Sequence, residues 1–191
     1  NVRFVDIDEN TLNLDPRLIE EKITERTRAI MPVDFRGHPA NLPEIKIITE
    51  KHNLKVIEDA AHAHGAEYRG KKVGTIGDVG CFSFQASKLL PGVEGGVLVT
   101  DRREYLEGAL ALGHYERLSE LSEDSPYRRY AATGLGYKYR IHPATAALVR
   151  ARLTRLNQLN ETRNQNMGFF DQQFEQIDGF APITGPAECK R

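Results

Sequence analysis

"KVIEDAAHAHGAEYRGKKVGTIGDVGCFSFQASKLLPGVEGGVLVTD", residues 55–101, decides the fold. Three short apolar runs recur within it or at its border, over 54–60, 77–84 and 95–100. Each is bounded by turn-forming residues, and each reads as a strand. The alternation continues outward. Residues 28–35 ("RAIMPVDF") predict a strand, and 42–53 predict a helix with Ile45 and Ile48 on one side. Residues 3–7 predict a further strand. Residues 15–24 predict a helix: Asp15 suits the N-cap, Pro16 the first turn, and Leu18, Ile19 and Ile23 share a face. Residues 101–113 predict a helix opened by Asp101 and stopped by Gly113. Strands separated by helices of this length form βαβ units. The expected class is therefore α/β with a mostly parallel, largely buried sheet.

The last third changes character. Residues 119–134 are polar without a period and read as a surface loop. From Pro143 to about Glu175, Leu148, Leu153, Leu156, Leu159, Met167, Phe170 and Phe174 predict one long helix. Such a helix usually spans two domains or joins a subunit interface.

Bulk numbers narrow the class of partner. The chain has 191 residues, enough for one sizeable core. It carries 26 Lys and Arg against 27 Asp and Glu, a formal charge of -1, so no net field draws nucleic acid or anionic membrane. The two cysteines, Cys81 and Cys189, match no metal or redox spacing, and a reduced cytoplasmic setting is the expectation. No apolar run approaches a membrane span.

Ligands of open parallel sheets bind outside the carboxyl ends of the strands. Asp59 closes the 54–60 run, with His62 just beyond, while Ser83 closes 77–84, with Lys88 just beyond. Taken singly, each has a plainer role: Asp59 as a turn cap, His62 as an ordinary surface or core histidine, Lys88 as a snorkelling chain. Together they suggest more. A desolvated lysine forms a Schiff base with a carbonyl, and a strand-end carboxylate pairs with a pyridinium nitrogen. Those are the two groups that pyridoxal phosphate (PLP) chemistry requires.

The sequence resembles the DegT/StrS-type PLP-dependent sugar aminotransferases, of the fold-type I, aspartate aminotransferase-like group. The likeness runs over "FVDIDENTLNLDP", "TRAIMPVDFRGHPANLPEI", the opening stretch and "GLGYKYRIHPATAALVRARLTRLN", in the family's order. The resemblance implies a three-layer α/β/α fold, present in part. Residues 1–136 would belong to the PLP-binding large domain, and 137–191 to an interface segment and a long helix leading into an incomplete small domain. Lys88 would hold PLP, Asp59 would face the pyridine nitrogen, His62 the phenolic oxygen, and Ser83 the phosphate. Lys138 would reach the cofactor of a partner subunit, and Arg140 the substrate. The activity implied is amino transfer from glutamate or glutamine to a nucleotide-linked keto-sugar or a keto-cyclitol, by a cytoplasmic homodimer, with no metal. The alternatives within the family are a PLP-dependent sugar dehydratase, which Lys88 argues against, and a non-catalytic regulatory homologue. The family's N-terminal phosphate-binding helix and ring-stacking aromatic have no counterpart here, so weak PLP binding by these 191 residues is expected. Two positions depart from the family pattern: Val93 stands for a frequent glycine and Lys138 for a frequent asparagine.

Overall fold

The computed structural model describes residues 1–130, 136–183, 185 and 188–190. At its centre lies a four-stranded sheet in the order β1 (Ala29–Ile30), β2 (Lys55–Asp59), β5 (Val79–Ser83), β6 (Gly96–Val99). The first three strands are parallel and β6 is antiparallel to β5. A small antiparallel sheet joins β4 (Lys71–Lys72), β3 (Glu67–Tyr68) and β7 (Cys189–Lys190). The α/β class and the mostly parallel sheet hold.

Helix α1 (Leu42–Lys51) packs on β1 and β2, burying Leu42, Ile45 and Thr49. With Ile19, Ile30, Ala40 and Val56, its buried aliphatics form one core cluster. Burying each large aliphatic contributes about 1.5–3 kcal/mol. A second load-carrying group is polar. Glu58 is fully buried, and its carboxylate accepts backbone N–H bonds from Gly74 (2.6 Å), Ile76 (2.7 Å) and Gly77. One carboxylate thereby fixes the turn that leads into β5.

Five expected elements differ. The strand expected over 28–35 is confined to Ala29–Ile30, with one further bridge from Val33 to Asp59. Residues 3–7 form no strand beyond a single bridge, Ile7 to Leu14, and Phe4 is 87% exposed. Without a neighbouring strand, an alternating run has no ladder to join. Residues 15–24 form two 3-10 turns, Pro16–Leu18 and Glu20–Lys22, instead of an α-helix. Asp15 does cap the first, accepting from the Arg17 N–H at 2.9 Å. Ile23 is already extended, however, and the Thr24 N–H turns to the Thr27 hydroxyl. So short a helix is marginal alone, and the local side-chain bond wins. Helix α2 (Arg103–Gly113) ends at Gly113 as expected, but its N-cap is Arg102, with no side-chain bond, and Asp101 is not the cap.

The long helix is two: α3 (Pro143–Leu153) and α4 (Leu156–Phe174). The Thr154 hydroxyl donates back to the Ala151 carbonyl, and Arg155 is non-helical. The break turns Leu156 and Asn160 onto the loop after β2, where the Asn160 side-chain amide donates to the His64 carbonyl at 2.8 Å. Of the expected loop at 119–134, residues 131–134 lie outside the described residues; before them the chain makes 3-10 turns at Tyr115–Glu120 and Pro126–Tyr130.

Candidate active site

Parallel pairing brings two of the sequence-derived residues to one edge. Asp59 ends β2 in register with Cys81 of β5, and Ser83 ends β5 two residues on. Cys81 and Ser83 share a face, since strand side chains alternate. Asp59, paired with Cys81, lies on that face too; burial pushes the Cys81 thiol up, and the Asp59 charge adds to the shift. The Asp59 carboxylate is half-buried and accepts from the Ala61 N–H at 3.1 Å.

His62 follows Asp59 in the turn beyond β2. Its ring lies 5.8 Å from that of Phe35, tilted by 55°. Its Nδ1 is buried with no hydrogen-bond partner. That orphaned nitrogen is a polar group awaiting one.

Lys88 stands on the loop between β5 and β6. The loop is closed on Phe84: the Phe84 N–H donates to the Gly95 carbonyl (2.8 Å), and the Gly92 N–H donates to the Phe84 carbonyl (2.7 Å). The Lys88 N–H donates to the Gln85 carbonyl (2.9 Å), making the turn that carries the lysine. Phe84 and Leu90 anchor the loop in a small core with Val149 of α3, against Ile141. A Cβ at Gly92 would lie 2.6 Å from Val149 and 2.8 Å from Thr145, so the loop backbone rests directly on α3. Val93 takes φ 77°, the left-handed region that favours glycine. The departure from glycine is thus a strained one, with its side chain 64% exposed.

Lys138 and Arg140 sit elsewhere. Lys138 Nζ pairs with Glu116 Oε1 at 2.7 Å and Arg140 Nη1 with Glu116 Oε2 at 3.2 Å. Their segment is docked on the end of α2 by backbone bonds from Tyr137 N–H to Leu112 and Tyr139 N–H to Gly113.

Two residues that the sequence reading passed over belong to the same edge. His64 is 4% exposed, set between Phe82 (5.4 Å) and Phe84 (6.1 Å). One side of its ring faces the Ser83 backbone, but neither ring nitrogen makes a well-formed hydrogen bond. Burial lowers its pKa, and the charges of Lys88 and His62 act in the same direction. Asp34 closes the run 28–35 as Asp59 closes 54–60, and that shared pattern could have found it. A cleft of about 580 Å³ adjoins these groups rather than containing Asp59 or Lys88. Phe35, His64 and Leu89 line its near wall, and Asn160, Arg163 and Phe170 of α4 line its far wall. Among the described residues no cluster of His, Cys, Asp or Glu could hold a metal, and no helix is long and apolar enough to cross a membrane.

A carboxylate and a hydroxyl on adjacent strand ends, an imidazole with an unbonded nitrogen and a loop-borne lysine are groups that PLP would fit. The fold carrying them is that of solved PLP-dependent fold-type I aminotransferases. The chain matches the DegT/DnrJ/EryC1/StrS aminotransferase family over residues 1–191 and belongs to it. Among similar proteins is the uncharacterized protein MJ1066 of Methanocaldococcus jannaschii, 41% identical over 95% of this chain and 48% of that protein. Another is the putative L-glutamine:3-amino-2,3-dideoxy-scyllo-inosose aminotransferase of Micromonospora echinospora, 39% identical over 95% of this chain and 42% of that one. The crystal structure of 3-amino-5-hydroxybenzoic acid synthase superposes with a TM-score of 0.85 at 33% identity, over 96% of this chain and 47% of that one. The chain spans about half the length of the relatives it matches.

Proposed function

We propose that this chain carries the lysine-bearing part of a PLP-dependent aminotransferase that moves an amino group from glutamate or glutamine to a nucleotide-linked keto-sugar or a keto-cyclitol. The observation that carries this reading is the convergence at one sheet edge: Asp59 and Ser83 on adjacent parallel strand ends, His62 with an orphaned nitrogen, and Lys88 on a pinned loop. Family membership and the activity named for the Micromonospora relative support it.

In this reading Lys88 would hold PLP, Asp59 would keep a proton on its ring nitrogen, His62 would serve its ring oxygen, and Ser83 Oγ would donate to its phosphate. Bound PLP supplies an electron sink. Lys88 Nζ would take a proton from the donor's α-carbon and deliver one to the former keto carbon of the acceptor. The adjoining cleft admits the substrate. Lys138 and Arg140 form a cationic pair for a partner subunit's cofactor phosphate and for substrate, and residues 137–191 form the interface segment and the start of the small domain.

The test is product analysis of the full-length protein with PLP, glutamate or glutamine, and a panel of keto-sugars and keto-cyclitols. The wild type is expected to give an amine product and a borohydride-sensitive cofactor absorbance band. Lys88→Ala is expected to lose both. A band that persists in Lys88→Ala overturns the assignment.

A further inference from the structure

Asp34 is built into the strand end that carries Asp59. Its N–H donates to the Asp59 carbonyl at 3.0 Å, and its neighbour Val33 bridges Asp59 in parallel register. Its side chain is fully buried. Oδ1 accepts from the Ala40 N–H at 2.9 Å, while Oδ2 has no hydrogen-bond partner. That one bond helps close the turn that sets Phe35 against the His62 ring. A carboxylate buried with an unbonded oxygen is costly when charged.

The groups around Asp34 add to that cost. Glu58 and Asp59 of β2 act on it with like charge, and its own charge acts on the Cys189 thiol of β7. On its own turn, Arg36 is exposed and stacks over Phe35 at 5.5 Å, while His38 is buried. Burial first, then Glu58 and Asp59, push its carboxyl up to about 7, against the pull of the Ala40 bond.

We propose that Asp34 is a positioning residue for Asp59: it keeps a proton while Asp59 faces no cation, and releases that proton to solvent when a protonated pyridine ring settles against Asp59. A cation there offsets the Asp59 charge, so the ionised form of Asp34 meets less repulsion. Linkage makes the effect reciprocal: ionising Asp34 tightens the hold on the cation. This rests on the assignment of Asp59 to the cofactor ring.

Pyridoxamine phosphate, which carries the ring without an aldehyde, is the probe. Its dissociation constant is measured from about pH 6 to about pH 8 for the wild type and Asp34→Asn. The wild-type affinity is expected to rise roughly tenfold more than that of the variant, a coupling of ordinary size. Parallel profiles overturn the inference and leave the aminotransferase reading standing. A probe that binds neither protein sinks both. Without cofactor, wild-type stability is expected to fall relative to Asp34→Asn as pH rises from about 4 to about 7. The buried acid binds its proton more tightly folded than unfolded, and that advantage is lost as pH passes the folded value. An unchanging stability difference across that range also overturns it. Asp34→Ser, which keeps an acceptor for Ala40, replaces Asp34→Asn in both measurements should the latter not fold.

Discussion

The Lys88 loop and the 137–140 segment both present cations at the surface, and they are held by different physics. The Lys88 loop is closed by backbone bonds on both sides of Phe84, plugged by Leu90, and laid on α3 without room for side chains at Gly92. The 137–140 segment has two backbone bonds to α2, and both of its cations pair with the half-exposed carboxylate of Glu116. Buried backbone bonds fix a lysine to one place, whereas exposed ion pairs contribute little and leave side chains free to exchange partners. The comparison sets a loop with a pinned backbone against a segment whose cations can exchange partners.

That contrast can be broken at its buried side first. Glu58→Ala would strand three backbone N–H groups beneath the strand that carries Asp59. A loss of about 3 kcal/mol in urea unfolding is expected; a loss under 1 kcal/mol would mean that water replaces the carboxylate. A smaller effect of opposite sign is expected in the loop. Val93→Gly relieves a left-handed β-branched residue, at some entropic cost in the unfolded chain. A net gain of roughly 1 kcal/mol is expected, and a destabilised variant would show that the Val93 side chain packs in solution. The smallest change belongs to the exposed side. Glu116→Gln is expected to stay within about 0.5 kcal/mol of wild-type stability, and a larger loss in the same denaturation assay would show the two regions to be equally rigid.

Local pattern was legible where burial and period agree. The strands β2, β5 and β6 and the helices α1 and α2 stand where apolar spacing put them, because each has a partner that rewards its buried face. Pattern failed where the partner was missing or a side chain competed, as at residues 3–7, at Thr24 and at Thr154. Asp59, His62, Ser83 and Lys88 were legible as chemistry-bearing residues just past apolar runs. Asp34, Glu58 and His64 lie in the same stretches, but their roles depend on what surrounds them. Glu58 looks like a solvated carboxylate until three N–H groups converge on it.

The departures at Val93 and Lys138 show the same division. The family resemblance leads one to expect glycine at the position of Val93 and asparagine at that of Lys138. Only the tertiary structure gives Val93 its positive φ and Lys138 its Glu116 partner. Sequence alone determined the α/β class, since periodicity is local, and its motifs placed the chain in its family. Which carboxylate is buried without a full set of bonds, which histidine is wedged between rings and which cation is pinned were decided by the fold. Burial and field are set by neighbours distant in the chain, and no local pattern encodes them.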